Sequence, residues 1–157
     1  MANSPDGKPY SIDFYEENGG KPVLVWIKND LTADQRKVLG TAMSEILQEQ
    51  GSDVCESEFG KWVDADIFYF RLRTETGDIF RVYCHQYEGT VILLLHGYDK
   101  GGRTAKNWET AQQQIARGRL NRWESDRAVS AKQAKKAAAN ARSRAGQGPT
   151  SSSKGKA

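Results

Sequence analysis

Three arginines in two neighbouring segments are the residues best suited to chemistry on a phosphate. Arg71 and Arg73 are two positions apart, and Arg81 lies in the next apolar segment, with Tyr83 after it. Guanidinium donors match phosphate oxygens in pairs, and aromatic rings stack on unpaired bases. Like charges that face each other in a sheet are destabilising by up to roughly 1 kcal/mol. The cluster therefore needs either neighbouring carboxylates or a polyanion, and the residues alone leave both interpretations open.

The register of the predicted hairpin decides which side chains share a face. Placing Glu75 opposite Ile79 leaves the three-residue loop Thr76-Gly77-Asp78, which supplies a glycine for positive φ. On the core side this register pairs Leu72 with Val82 and Phe70 with Cys84. On the other side it pairs Arg73 with Arg81, Arg71 with Tyr83, and Tyr69 with His85. The sequence thus predicts a single face that carries the three arginines, because alternate residues of a strand share a side.

The elements that position this face can be predicted from apolar periodicity. Residues 10–15 alternate as a half-buried strand, and Asn18-Gly19-Gly20 then turns the chain. The segment 22–27 fits a strand or a short helix that starts at proline. Thr32 and Gln35 form a capping box ahead of an amphipathic helix that a glycine, Gly51, ends.

An antiparallel meander and a closing helix are predicted for the second half of the domain. Residues 67–74, 79–87 and 90–95 are apolar and β-branched, and turn residues separate them. The third segment is apolar throughout, which predicts a central strand covered on both faces. A helix should follow, with its buried face formed by Trp108, Ala111, Ile115, Leu120 and Trp123. This order predicts an α+β domain with an N-terminal strand and helices, a three-stranded meander and a C-terminal helix.

Charge divides the chain into two parts. The protein has 157 residues, of which 38% are apolar and 27% charged, and this excludes a large multidomain enzyme. Residues 128–157 carry seven cationic side chains and no carboxylate, which leaves residues 1–127 with a net charge of −4. We expect a folded domain over 1–127 and a disordered, low-complexity basic tail over 128–157, transiently helical over 130–145. That tail is either a tolerated solubilising extension or a tether to RNA or the ribosome.

Composition also predicts the compartment and the absence of a metal. No run of about 18 apolar residues or secretory signal is present, and Cys55 and Cys84 form no CxxC pair. We therefore expect a reduced, cytoplasmic protein that does not enter a membrane. Two histidines without ligand-spaced carboxylates predict neither a metal site nor a cofactor.

Several segments together resemble the HigB branch of the RelE/ParE toxin superfamily. The stretch from Phe14 to Ile27, with its Asn-Gly turn and Pro-Val-x-x-Trp sequence, is similar to the family's opening strand, turn and helix. Phe70-Arg71-Leu72-Arg73 and Phe80-Arg81-Val82-Tyr83 resemble its arginine-bearing strands. Residues 94–101, Leu-Leu-His-Gly-Tyr-Asp-Lys-Gly, resemble its Leu-Leu-His-Gly-Phe-x-Lys segment.

The resemblance implies a fold, an activity and partners. The fold would be RelE/ParE-like, with a short helix at Pro22. The protein would be the toxin of a type II toxin-antitoxin system, a metal-independent endoribonuclease that cleaves mRNA on the ribosome and inhibits translation. Its partners would be the ribosome, mRNA and a cognate HigA-like helix-turn-helix antitoxin.

The same resemblance implies roles for individual residues in attack by the RNA 2′-hydroxyl on phosphorus. Arg81 and Arg71 would stabilise the phosphorane, with Lys100 next and Arg73 and Arg103 as phosphate contacts. Proton transfer could involve Tyr83, His85, His96 or Tyr98, and we favour His85 and Tyr98 as catalytic groups over His96. Tyr83 and His96 would then contact the substrate.

Two further classes of function remain open. One is a non-enzymatic member of the superfamily, similar to the ParE type that inhibits DNA gyrase, or a degenerate phage protein that only binds a partner. A nuclease needs Arg71, Arg81 and Lys100 close to one phosphate, whereas an inhibitor does not. A DNA-binding regulator is less well supported, because no recognition helix is evident.

Overall fold

A computed structural model describes residues 7–101 and 105–154, and the side chains of these residues up to 142. The elements in chain order are β1 (Ser11–Phe14), α1 (Pro22–Asp30), α2 (Ala33–Ala42), a π-helical turn (Met43–Leu47), α3 (Gln48–Gln50), a 3₁₀ segment (Gly51–Glu56), β2 (Gly60–Trp62), β3 (Phe68–Arg73), β4 (Ile79–Tyr87), β5 (Val91–Asp99) and α4 (Lys106–Lys154). The α+β class and the C-terminal helix are confirmed.

The sheet is larger than the predicted meander. Its five strands lie in the order β1-β5-β4-β3-β2, with β1 parallel to β5 and every other pair antiparallel. Strands β3, β4 and β5 form the predicted meander, but β1 and β2 extend it at its two edges. Periodicity missed β2 because three residues are too short for an alternating pattern. Strand β5 is an interior strand, and β4 is the central one.

The predicted register of the β3–β4 hairpin is wrong by two residues. Arg71 faces Arg81, Arg73 faces Ile79 and Tyr69 faces Tyr83, so the pairs Arg73–Arg81, Arg71–Tyr83 and Tyr69–His85 do not form. On the core side, Leu72 faces Phe80, Phe70 faces Val82 and Phe68 faces Cys84.

The connecting loop explains the difference in register. It comprises Glu75, Thr76 and Gly77, because the Thr74 amide donates to the Asp78 carbonyl at 2.9 Å and the Gly77 amide donates to the Thr74 carbonyl at 3.2 Å. The Thr74 and Thr76 hydroxyls donate to the Asp78 carboxylate, which stabilises a three-residue loop one position earlier than the predicted one. A shift of two residues keeps every side chain on its predicted face, since the side-chain period of a strand is two.

The N-terminal half follows its local signals. Proline begins α1 at Pro22, so the segment that periodicity left open is helical. The capping box of α2 is present, with the Gln35 amide donating to Thr32 Oγ1 at 3.1 Å and the Thr32 amide donating to Gln35 Oε1 at 2.8 Å. Gly51 follows α3 at a φ of 59°, and a Cβ there would lie 2.6 Å from the Tyr10 ring. Glycine is therefore required for both conformation and space.

One face of the sheet forms the apolar core with α1 and α2. Phe70, Phe80, Val82 and Leu94 are completely buried on this face. The Trp26 ring of α1 lies edge-on to Phe80 at 6.0 Å, and a Cβ on Gly97 would meet that indole at 2.7 Å. This contact brings α1 close against β5.

The buried stripe of α4 differs from the predicted one. Ala116 and Leu120 are fully buried, whereas Ala111 and Ile115 are exposed. The buried positions recur every four residues from Trp108, and a polar residue, Gln112, occupies one of them. A search for apolar periodicity therefore identified Leu120 but selected Ala111 and Ile115 in place of Gln112 and Ala116.

The chain divides into two compact units, 1–120 and 121–157. In the second unit the helix continues to Lys154, and residues 124–142 are exposed. The expectation of a disordered tail with transient helix stays a prediction. Across the described residues, no helix combines the length and the apolar character that crossing a membrane requires.

Candidate functional site

The first turns of α4 cover the polar face of the sheet, which holds most of the candidate residues. A bulge in β5 shapes this face, since Tyr83 pairs with His96 whereas Cys84 pairs with Leu94, leaving Leu95 as an extra residue. Strict alternation from the core residue Leu94 would turn His96 and Tyr98 into the core. The bulge reverses that alternation and brings both side chains to the polar face.

Two rows of residues cross the polar face. One row contains Arg71, Arg81 and Tyr98 on β3, β4 and β5. The neighbouring row contains Tyr69, Tyr83 and His96. Five of the nine candidate residues, Arg71, Arg81, Tyr83, His96 and Tyr98, are therefore brought together as expected.

Arg81 is the centre of this arrangement. Its side chain donates from Nη1 to Glu109 Oε1 at 2.8 Å, and its guanidinium lies 4.6 Å from the centre of the Tyr69 ring. Only 5% of the residue is exposed, and among the described residues its buried Nε has no hydrogen-bond partner. Burial would lower the pKa of Arg81, but contacts with Tyr98, Tyr69 and Glu109 outweigh it and raise the pKa above its ordinary value. Arg81 is a fixed cation with an unused donor.

A pair of tyrosines lies beside Arg81. The hydroxyls of Tyr83 and Tyr98 are 2.9 Å apart, and the Trp108 ring packs edge-on against Tyr98 at 4.9 Å. Burial, together with the hydrogen bond from Tyr98, raises the pKa of Tyr83 above its ordinary value. Tyr83 therefore stays protonated and can donate a hydrogen bond, but it cannot act as a base at neutral pH.

His96 is held by hydrogen bonds on both ring nitrogens. Its Nε2 donates to Gln112 Oε1 at 2.6 Å, and its Nδ1 accepts from Arg119 at 3.3 Å, while Arg119 also donates to the Leu95 carbonyl at 2.8 Å. Burial lowers the pKa of His96, and the Arg119 charge lowers it further. The ring is a neutral spacer stacked parallel to Tyr83, with 6.2 Å between ring centres.

His85 lies apart from this cluster. Four positions separate it from Arg81 on β4, which corresponds to about 13 Å along the strand. Its Nδ1 is 2.7 Å from the Asp66 carbonyl oxygen, so Nδ1 carries the hydrogen. A proton transfer at Arg81 is therefore beyond the reach of the His85 ring in this conformation.

Arg71 and Arg73 form the accessible edge of the arginine cluster. Arg71 donates from Nε and Nη2 to the Glu58 carbonyl at 3.1 and 2.9 Å, and Arg73 is exposed. With Phe59 these residues line a cleft of about 80 Å³. The predicted positive face therefore consists of a closed part at Arg81 and an open part at Arg71 and Arg73.

Lys100 and Arg103 follow β5. The Lys100 amide donates to the Ile79 carbonyl at 2.7 Å, which places Lys100 one row beyond the row of Arg81 and Tyr98. Asp99 stabilises this turn, since its Oδ1 accepts from the amides of Ile79 and Gly101 at 3.1 and 2.9 Å. Arg103 lies outside the described residues.

Sequence reasoning missed the residues that α4 contributes. Glu109, Gln112 and Arg119 contact Arg81 and His96, and they recur at spacings of three and seven. This is the spacing of one helix face, so a search for polar as well as apolar periodicity could have found them. Arg117 anchors the same helix through ion pairs with Asp64 and Asp66.

A second cavity opens beside Tyr98. It has a volume of about 420 Å³, and the rings of Trp26 and Trp108 line it together with Asp30. Aromatic walls of this kind suit a stacked planar ring. In the described part of the chain, no three histidine, cysteine or acidic side chains come together as a metal would require.

Together, the fold and the site define an α+β protein with a mixed five-stranded sheet and a buried arginine–carboxylate pair beneath its C-terminal helix. No protein-family model matches the chain, and a comparison with curated proteins finds none that matches it. The resemblance to RelE/ParE toxins stays a prediction.

Proposed function

We propose that the protein is a RelE/ParE-like toxin of the HigB branch, an endoribonuclease that cleaves mRNA on the ribosome and is silenced by a HigA-like antitoxin. The observation that carries the proposal is the cluster around Arg81. There an opposed Arg71, a carboxylate on Glu109 and a hydroxyl on Tyr98 lie within one row of the sheet and the helix above it. These groups supply the cation, base and proton donor that metal-free RNA cleavage needs.

Each group has a definite task in this chemistry. Glu109 accepts the proton of the 2′-hydroxyl, whose oxygen then forms a bond to phosphorus. Arg81 and Arg71 stabilise the added negative charge of the phosphorane. Tyr98 protonates the 5′-oxygen as its bond to phosphorus breaks, and Tyr83 supports Tyr98 through the hydroxyl contact at 2.9 Å. The products are a 2′,3′-cyclic phosphate and a free 5′-hydroxyl.

Glu109 takes the role of base, for which His85 was one of the candidates that the sequence offered. It touches Arg81 at 2.8 Å and its side chain is 35% exposed, whereas His85 lies about 13 Å along β4.

Substrate entry requires a local opening, because Arg81 is almost completely buried. The phosphate would first bind the exposed Arg73 and the partly exposed Arg71 in their cleft beside Glu58. Movement of the first turn of α4 would then separate Glu109 from Arg81 enough for phosphate oxygens to reach the unused Nε. The same closure favours the second candidate function, a non-enzymatic gyrase inhibitor or partner-binding protein, in which Arg81 and Glu109 only stabilise the fold.

The test compares wild type, Glu109→Gln and Arg71→Gln in a bacterial host, with transcript 5′ ends mapped after induction. Glutamine keeps the shape of Glu109 and an oxygen that accepts from Arg81, so the fold should persist. We expect codon-phased new 5′ ends in the wild type and a loss of about 10² to 10⁴ in cleavage rate for Glu109→Gln. Removing one phosphate donor with Arg71→Gln should cost about 10².

Lys37→Ala is the matched control, since Lys37 is exposed on α2 away from the cluster. It should arrest growth and cut transcripts like the wild type. Equal growth arrest by the wild type and Glu109→Gln, without new 5′ ends in either, would refute the nuclease and support the inhibitor.

A further inference from the structure

Between residues 128 and 142, α4 carries its cations on one side. Lys132, Lys135, Lys136 and Arg142 lie in a continuous helix and are all exposed. At 100° per residue, the four side chains fall within an arc of about 120° and extend over about 15 Å of helix. No carboxylate occurs between residues 128 and 142, so nothing in this stretch offsets their charge.

We propose that this cationic face, Lys132, Lys135, Lys136 and Arg142, binds the phosphate backbone of single-stranded RNA at a place separate from Arg81. The repulsion between four like charges on one helix face is relieved when a polyanion lies along it. The positions i, i+3, i+4 and i+10 allow consecutive phosphates of one strand to be contacted from one side of the helix.

The other side of this helix distinguishes RNA from a lipid surface. It consists largely of alanines, Ala134, Ala137, Ala138 and Ala141, and the larger apolar residue Val129 lies at the edge of the cationic face. A membrane-surface helix needs bulky apolar side chains that enter the acyl region, and alanine methyl groups bury too little area for that. Charge is therefore the main binding determinant. The choice of RNA over DNA rests on the proposed function, whereas the cationic face does not.

The number of contacts sets the expected salt dependence. Four phosphate contacts on a single strand predict a slope of log K against log salt of about −3 from this face alone. Between 50 and 200 mM salt, this contribution weakens binding about 50-fold. The face should therefore dominate RNA binding at low salt.

The experiment measures binding of the full-length protein to a fluorescent 20-nucleotide RNA by anisotropy across that salt range. The RNA carries 2′-O-methyl groups, so it cannot be cleaved. The test variant is K132Q/K135Q/K136Q/R142Q, because glutamine removes charge with little change in helix propensity. The matched control, K21Q/K28Q/K37Q/K61Q, removes four exposed lysines from elsewhere in the chain and changes net charge equally.

We expect the test variant to bind RNA at least tenfold more weakly at 50 mM salt. Its slope of log K against log salt should be less steep than that of the wild type by about 3. The control should keep the wild-type slope within about 1. Equal losses in both variants would overturn the proposal, because they would show that only net charge matters. Tighter binding to vesicles of 30% phosphatidylserine than to the RNA, or tenfold tighter binding to DNA of the same length, would also overturn it.

RNA binding by the cationic face can be tested independently of RNA cleavage at Arg81 and Glu109. Glu109→Gln removes the base and leaves the cationic face intact, so it should keep the part of the salt slope that the face produces. Loss of RNA binding in K132Q/K135Q/K136Q/R142Q confirms the surface even in a protein that cuts no transcript. An unchanged slope refutes the surface even in a protein that cuts.

Discussion

The two faces of the sheet are both covered by helices, but they are built from different chemistry. On one face, α1 and α2 pack against phenylalanine, valine and leucine side chains, as the cluster of Phe70, Phe80 and Val82 shows. On the other, the first turns of α4 pack against Arg81, His96 and Tyr98 through an ion pair, a hydrogen bond and a ring contact. The first face depends on shape and volume, whereas the second also depends on every donor finding its acceptor.

The two faces differ in how much they contribute to the stability of the fold. A buried ion pair generally contributes little net stability compared with apolar residues of similar volume, because both charges lose their hydration. Stability alone therefore does not require this polar face, and the proposed function gives Arg81 and Glu109 a further role.

Removing a large side chain from the apolar face should have the largest effect on stability. Phe80 is completely buried and contacts the Trp26 ring. We expect Phe80→Ala to lower the free energy of unfolding by about 3 to 5 kcal/mol, from lost burial and the cavity left behind. Chemical denaturation followed by circular dichroism measures this change. A loss below about 1 kcal/mol would mean that this face is not the main core.

The two members of the ion pair on the polar face, Arg81 and Glu109, should differ in how much stability is lost when each is replaced. Glu109→Leu leaves the 95%-buried Arg81 charge without a partner and should cost about 3 kcal/mol. Arg81→Met leaves a carboxylate that is 35% exposed and can rehydrate, so the cost should be about 1 kcal/mol. The double variant should regain most of the wild-type stability. A double-mutant cycle from denaturation curves tests this, and additive losses would contradict the coupling.

Local signals predicted much of the fold. The Asn18-Gly19 turn, the capping box at Thr32 and the bounds of β4 all depend on residues close in sequence, and each is confirmed. The hairpin register was missed because the three-residue loop lies one position earlier than predicted, where the Asp78 side chain stabilises it. Strand β2 was missed because its pairing with β3 is a tertiary contact.

The site was predicted only in part, for a physical reason. The alternation of side chains along each strand placed Arg71, Arg81 and Tyr83 on the same face of the sheet, and this holds for any register shift of two residues. The bulge at Leu95 was not predictable from a uniformly apolar run, yet it decides where His96 and Tyr98 point. The partner of Arg81 lies 28 residues away, and nothing local marks Glu109 as that partner.

The tyrosine pair provides a smaller and more selective change on the polar face. Tyr83→Phe keeps the buried ring but leaves the Tyr98 hydroxyl without its partner at 2.9 Å. We expect a loss of about 1 to 2 kcal/mol, and the Tyr83→Phe/Tyr98→Phe double variant should be no worse than the single one. Thermal unfolding of the three variants measures this. A double variant that loses the sum of both single effects would show that the hydroxyls act independently.

The smallest expected effect is the pH dependence of stability that comes from His96 on the polar face. Burial lowers the pKa of His96 below its ordinary value of 6.5, so the unfolded chain binds a proton that the folded protein resists. Stability from His96 is therefore complete above about pH 6.5 and is lost progressively as the pH falls below it. The Gln112 hydrogen bond opposes the shift, which keeps the loss small.

Melting temperatures between pH 8 and 5 measure this loss of stability. The window lies above the range in which Asp64 and Asp78, whose pKa values are lowered, take up protons. His96→Gln should flatten the profile over this window, while the matched control His85→Gln should keep the wild-type profile. If the melting temperature of His96→Gln still fell with pH as in the wild type, another group would take up the proton and His96 would not contribute to the pH dependence of stability.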